Sequence, residues 1–300
     1  MTTTANRFGI QAVSFNGTEF TGATGESIDR GRNVVSQQSD GAVFETTQFV
    51  EQIEAKCDFN TWALSTILAA LGTSGVSQIP FVTLDGTDGL VMQGALAAAN
   101  APAFAGGSVH MARTALNGAL WLSSVRWSLK QKAEMNIKGM FVGTGDGTTD
   151  PVTPSTVALP TQLVPNNGWT LSSLILNGVN VITCNSVELS INPKFEYEYS
   201  LGLPVPISLS GAGPRGPIEI RLVADVGDVL IADGVGTVSL VFTQYAIGGG
   251  LAAHTVTFTL RGNYSFENSV GAQASSPYSK RMTVIPTLVS TNFPLIWAIT

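Results

Sequence analysis

Apolar and polar residues alternate with a period of two along most of the chain, the pattern of strands with one buried face. Asn-Gly interrupts the alternation twice, between Val13–Phe15 and Thr18–Phe20 and between Leu174–Leu176 and Val179–Val181. Asn-Gly suits a type I′ turn, whose central residues both take positive φ, so each copy predicts a tight β-hairpin. In Gln52–Asp58, Ile53, Ala55 and Cys57 fall on one face and Glu54, Lys56 and Asp58 on the other. Val125, Trp127 and Leu129 oppose Arg126, Ser128 and Lys130, and Ala133, Met135 and Ile137 oppose Glu134, Asn136 and Lys138. Further on, Phe195–Tyr199 alternates rings with Glu196 and Glu198, and Ile218, Ile220 and Leu222 alternate with Glu219 and Arg221. Val238–Tyr245 and Thr255–Arg261 predict two more strands.

One stretch has helical spacing. Thr61–Leu71 puts Trp62, Leu64, Ile67, Leu68 and Leu71 mostly on one side, with Asp58 or Asn60 as cap and Gly72 as stop. Leu90–Ala99 also fits a helix, which Gly94 weakens. Asp85–Gly89 reads as a turn, residues 1–12 as a polar arm, and Gly22–Gly41 as a long mobile loop carrying Arg30 and Arg32.

The two Asn-Gly hairpins each open one half of the chain, and Ile53-Glu54-Ala55-Lys56 matches Ile218-Glu219-Ile220-Arg221 at nearly the same distance downstream. Met135–Val142 and Met282–Val289 each read as a late apolar strand. The pattern predicts a duplicated β domain. Pro151, Pro154, Pro160 and Pro165 cannot lie inside a central strand. They predict a Pro/Thr-rich linker over 151–166, between a first domain, 1–150, and a second, 167–300. After the last strand comes an apolar tail with Phe293, Leu295, Ile296 and Trp297. It either folds onto its own sheet or serves as an arm for a neighbouring subunit.

Charge changes the picture. Only 12% of the 300 residues are charged, a surface that favours association, so an oligomer is expected. A net charge of −6 argues against tight binding to a phosphate backbone. Cys57 and Cys184 are too few for a disulfide scaffold, and neither has metal-ligand spacing; Cys57, on the apolar face, reads as a buried thiol. The N-terminus lacks a signal-peptide pattern and no run is long enough to span a bilayer, so the product is expected to be made in the cytoplasm.

No set of residues converges on catalysis. His110 and His254 have no carboxylate or Cys at ligand spacing, and no P-loop, His-Glu-x-x-His or Gly-x-Ser-x-Gly motif is present. Gly143–Asp150 could hold phosphate or Ca²⁺, but no helix follows it and the EF-hand ligand order is missing, so a plain turn is favoured. Glu196 and Glu198 project from one face of one strand, which suits a charged wall or a solvated face better than a glycosidase pair. The expectation is a non-enzyme with no cofactor.

These features together resemble the tail tube proteins of long-tailed bacteriophages, in their duplicated-domain form. The residues that carry the likeness are the repeated hairpins, the helix at Asn60–Leu71, and Val187–Arg221 with its long strand, polar interruption and Ile-Glu-Ile-Arg. The likeness implies a mainly β chain of two tandem tube-like sandwich or barrel domains, each with a short packing helix. It implies trimeric rings of pseudo-sixfold symmetry, closed by a shared barrel, stacked into the tail tube and joined to other tail proteins. DNA would pass through the lumen on ejection without specific binding, in a virion assembled in the host cytoplasm and not in a membrane. Glu54, Asp58, Glu196, Glu198 and Glu219 are the candidate lumen residues, though Lys56, Lys194 and Arg221 would partly neutralise them. Phe293, Leu295, Ile296 and Trp297 are the candidate inter-subunit arm, and Arg30 and Arg32 the candidate inter-ring loop. The alternatives are a tail-end hub or adaptor, or a receptor- or carbohydrate-binding β-sandwich displaying Tyr197, Tyr199 and Tyr245.

Overall fold

The computed structural model describes residues 6–20, 23–29, 31–37, 47–75, 79–98, 109–155, 167–181, 184–191, 193–211, 218–224, 234–246, 251–269, 279–286 and 295–300. The protein is mainly β. The first half holds β1 (Asn6–Phe15), β2 (Thr18–Phe20), β3 (Thr24–Asp29), β4 (Arg32–Gln37), β5 (Thr47–Ile53), β6 (Ala55–Thr61), α1 (Leu64–Leu71), β7 (Phe81–Ala98), β8 (Val109–Ser128), β9 (Glu134–Val142) and β10 (Val152–Ser155). The second holds β11 (Asn167–Leu176), β12 (Val179–Asn180), β13 (Cys184–Ser190), β14 (Glu196–Tyr199), β15 (Pro206–Ser210), β16 (Ile218–Ala224), β17 (Gly234–Ala246), β18 (Leu251–Ser269), β19 (Ser279–Pro286) and β20 (Leu295–Ile299).

The two halves repeat one strand order. The first runs β2-β1-β7-β8-β9-β6-β3, with β10 on β8; the second runs β12-β11-β17-β18-β19-β16-β13, with β20 on β18. The pairs β4-β5 and β14-β15 stand outside as two-stranded ribbons, each inserted at the same point of its half. Irregularities repeat too. A bulge separates Ile10 from Ala12 and another Leu171 from Ser173, each at the same distance before its Asn-Gly turn. The turns have the expected backbone: φ is 49° at Asn16 and 70° at Gly17, and 47° at Asn177 and 84° at Gly178. One antiparallel pairing, β8 with β13, joins the halves into a single sheet. Among the described residues no sheet closes on itself.

Several elements differ from the sequence reading. The polar arm is mostly strand, since β1 begins at Asn6 and pairs with β7 along its length. The loop expected over Gly22–Gly41 contains β3 and β4. The helix expected at Leu90–Ala99 is the second part of β7: Leu90 and Met92 are buried at a period of two against β8. Asp85–Gly89 is not a free turn but an irregularity inside β7, where the register with β8 shifts between Asp85 and Leu90. Val152–Ser155, within the expected linker, pairs with Ala112–Ala115 of β8. Pro154 is tolerated there because, among the described residues, β10 pairs with β8 alone and so sits at an edge.

The helix forms as expected but is capped differently. It starts at Leu64 with no side-chain cap; Thr61 Oγ1 accepts the Ala63 N–H instead, at 3.1 Å. Asp58 and Asn60 are engaged across the sheet, where Asn136 Nδ2 donates to both, at 2.6 and 2.9 Å. Leu64, Ile67, Leu68 and Leu71 bury the helix in a continuous apolar core. That core runs through both halves, from Phe59, Leu120 and Phe141 to Leu240, Phe258 and Trp297. In the second half, residues 225–233, where a helix matching α1 would be sought, lie outside the described residues.

Candidate assembly surface

Among the described residues, a paired row of charged side chains lies across the joint between the halves. Ser186–Ser190 of β13 pair with Ser128–Ser124 of β8, while the other edge of β13 pairs with β16. Directly paired residues of an antiparallel sheet share a face. On the buried face Met135, Val125, Leu189 and Ile220 stand side by side across β9, β8, β13 and β16. On the opposite, polar and wetter face Asn136, Ser124 (itself buried), Ser190 and Glu219 form one row, and Glu134, Arg126, Glu188 and Arg221 the next. Arg126 Nε donates to Glu188 Oε1 at 2.8 Å, tying the two halves together. A cleft of about 410 Å³ opens over this charged row, lined by Lys132 and Gln131 as well. It presents both signs of charge and holds no His or Cys.

The β14-β15 ribbon belongs to the second half by sequence, yet lies over the wet face of the first. The Phe195 ring is 4.7 Å from that of Trp121, and backbone bonds run from Ile53 N–H to Pro204 C=O (2.8 Å) and from Gly143 N–H to Pro206 C=O (3.0 Å). Tyr197 and Tyr199 turn inward: their hydroxyls donate to the carbonyls of Ala55 and Ile53. Burial, with the nearby Glu54 charge next in size, pushes the Tyr197 phenol well above its ordinary value and Tyr199 up to about 12. Alternation then places Glu196 and Glu198 on the outer, exposed side of the ribbon.

Of the candidate lumen residues, Asp58 and Glu219 are half-buried on the wet face, and Glu54, Glu196 and Glu198 are exposed. The three cations flagged from sequence pair with them: Lys56 with Glu54 (2.6 Å), Lys194 with Glu196 (2.6 Å) and Arg221 with Glu219 (3.5 Å). Glu198 accepts a hydrogen bond from Ser208 across the ribbon. In the apolar tail, Leu295, Ile296 and Trp297 belong to β20 and pair with Leu260–Phe258 of the chain's own β18. Leu295 and Trp297 are fully buried there; Phe293 lies outside the described residues. Arg30 also lies outside them, and Arg32 opens β4, opposite Ile53.

The described residues hold the other titratable groups weighed above. They contain no group of three or more His, Cys, Asp and Glu placed to hold a metal. Burial, and then the Asp58 charge, raises the Cys57 thiol, and burial raises Cys184 to about 11, so both are poor nucleophiles at neutral pH. In Gly143–Asp150, Asp146 accepts the Thr149 hydroxyl (2.6 Å) and the N–H groups of Thr148 and Thr149 (2.8 Å each). Those bonds hold its carboxyl well below the usual range and spend its oxygens on the turn itself. Sequence reading missed the Arg126–Glu188 tie and the tyrosine anchors. Ring–carboxylate alternation hinted at the second; the first depends on cross-strand register, which leaves no local trace.

In comparisons with known proteins, no protein-family model matches the chain, and no curated protein is significantly similar to it.

Proposed function

We propose that this chain is a structural subunit of the bacteriophage tail-tube type, two tandem β modules that assemble with copies of themselves into rings. The observation that carries the proposal is the joint between the halves. Two modules of the same strand order meet at β8·β13; among the described residues the matching positions at the other ends, the outer edge of β3 and the β17-side edge of β18 beyond Tyr264, have no strand partner. In the first half, Ser27, Ile28 and Asp29 of β3 pair with Asp58, Cys57 and Lys56 of β6. In the second, Ser186, Val187 and Glu188 of β13 pair with Val223, Leu222 and Arg221 of β16. Thus β3 holds the place of β13, with the same order of serine, aliphatic and acid. Its outer edge has no strand partner among the described residues; Arg113 of β8 donates to the Ile28 carbonyl at 3.1 Å. An open strand edge is a template for pairing. Repeating the joint head to tail, with β18 of one copy beside β3 of the next, makes a heterologous contact that closes into a ring.

Three copies would give six similar modules and a shared barrel. Stacked rings would form a conduit for DNA in the virion, joined at its ends to other tail proteins. The wet face suits a wall that does not bind DNA, because Lys56, Arg126, Lys194 and Arg221 are engaged with carboxylates and the net charge is −6. A glycan-binding reading is disfavoured by the inward turn of Tyr197 and Tyr199. Light scattering with negative-stain microscopy tests the proposal. Rings with the mass of three 31.4-kDa chains, or hollow tubes of such rings, are expected. Rings that never stack would place the protein at a tail end as a hub or adaptor; a monomer at all concentrations would refute self-assembly.

A further inference from the structure

The ribbon β14-β15 crosses from its own module to cover the wet face of the other. The ribbon β4-β5 is inserted at the same point of the first half, between β3 and β6, and forms a separate two-stranded sheet. Its root is tied down, since Glu54 N–H donates to Gly31 C=O at 3.1 Å. Within one chain there is no third module for it to cover. The module in question would be the second half of a neighbouring copy.

That second half carries a matching surface. In the first half, Phe195 of the ribbon segment packs on Trp121, which is only 7% exposed, Val205 lies against Gly143, and the neighbouring Val142, 8% exposed, lines a cleft with Phe195. At the corresponding end of β17, β18 and β19, Val235, Asn263 and Ile285 stand side by side on the wet face. Here Val235 is 68% and Ile285 54% exposed. Two large aliphatic residues flanking one position on an open sheet face are what a covering ribbon would shield.

We infer that β4-β5 of one copy docks on the wet face of the second half of the next, over Val235 and Ile285, as β14-β15 does within the chain. The inference rests on the ring reading above and names the contact that locks each ring joint. It makes the joint two-part in both places: edge pairing by β13 or β3, and a ribbon laid over the neighbouring module by the segment that follows.

The test is a photo-cross-linking residue, p-benzoylphenylalanine, in place of Ile285, in assemblies mixed from isotopically light and heavy protein. Mass spectrometry should find cross-links from position 285 to residues 32–53 of the other isotope. Cross-links confined to one copy, or landing elsewhere, overturn the inference while leaving rings in place. A second arm uses Val235→Glu with Ile285→Glu, which alters exposed side chains only, against Val179→Glu, an equally exposed site on another element. The double variant should fold and raise the concentration needed for assembly at least tenfold, with Val179→Glu unchanged. Equal behaviour of the two overturns the inference. If wild-type protein never assembles, the ring reading fails first and this contact falls with it.

Discussion

At the residue scale, the two tyrosines of β14 show how much a period-two pattern conveys and where it stops. Alternation alone placed Tyr197 and Tyr199 opposite Glu196 and Glu198, and they do face the sheet. That their hydroxyls anchor to Ala55 and Ile53, far away in sequence, depends on a ribbon crossing between modules. Folding raises both phenols above the ordinary value of 10, Tyr199 to about 12. A raised folded-state value means the folded form holds its proton more tightly. The stabilisation is therefore complete below the unfolded value and lost as pH rises through the folded one. The melting temperature should fall as pH rises from about 10 through about 12, and fall less in a Tyr199→Phe variant. Thermal denaturation at several alkaline pH values measures this. An identical alkaline fall in both proteins would remove Tyr199 from the account.

At the element scale, the joint contrasts apolar packing with surface charge. Leu189 is fully buried, between Val125 and Ile220 on neighbouring strands. Leu189→Ala should cost about 2–5 kcal/mol. Arg126 is mostly exposed, so loss of its ion pair in Arg126→Ala should cost under about 1 kcal/mol despite the short contact. Chemical denaturation of both variants compares them. The tail is a second case. Trp297 is 0% exposed against Phe258, so Trp297→Ala should lose about 3–5 kcal/mol in the isolated subunit. A tail that mattered only between subunits would leave the isolated subunit's stability unchanged.

The strands read from alternation, both hairpins and the helix were legible because each depends on local periodicity or turn chemistry; β3 and β4, read as loop, and the start of β1, read as a polar arm, were not, because their sequences are too polar to show a buried face. The second part of β7 was not, because Leu90–Ala99 is rich in Ala and Leu and satisfies both periods. Strand β10 was hidden by Pro154, which only an edge position permits. The strand order was hidden as well. Yet the match of Ile53–Lys56 to Ile218–Arg221 points to it: Glu54–Lys56 and Glu219–Arg221 form the same two-residue ion pair in each half.

At the scale of the whole molecule, the repeated strand order gives one chain an internal joint and, among the described residues, two ends without a strand partner. The linker strand β10 and the tail strand β20 are then equivalent pieces, each closing its module against the long central strand. The exposed outer side of β14-β15 gives the conduit reading its own check. Glu196→Lys with Glu198→Lys should leave folding and assembly intact, since both side chains are exposed. If they line the lumen, the substitution should make assembled tubes retain DNA in a salt-dependent way. Gel-shift titration reads this, and unchanged behaviour would take these residues off the lumen.

The central claim is that the contact joining the two halves of one chain recurs between chains. A cryo-electron-microscopy map of the assembled particle, traced through the strands, tests it most directly. The account predicts a ring of three chains and six similar modules in which the sheet runs on from β18 of one copy to β3 of the next. A map in which the outer edge of β3 faces solvent, or the sheet ends at every chain boundary, would contradict it.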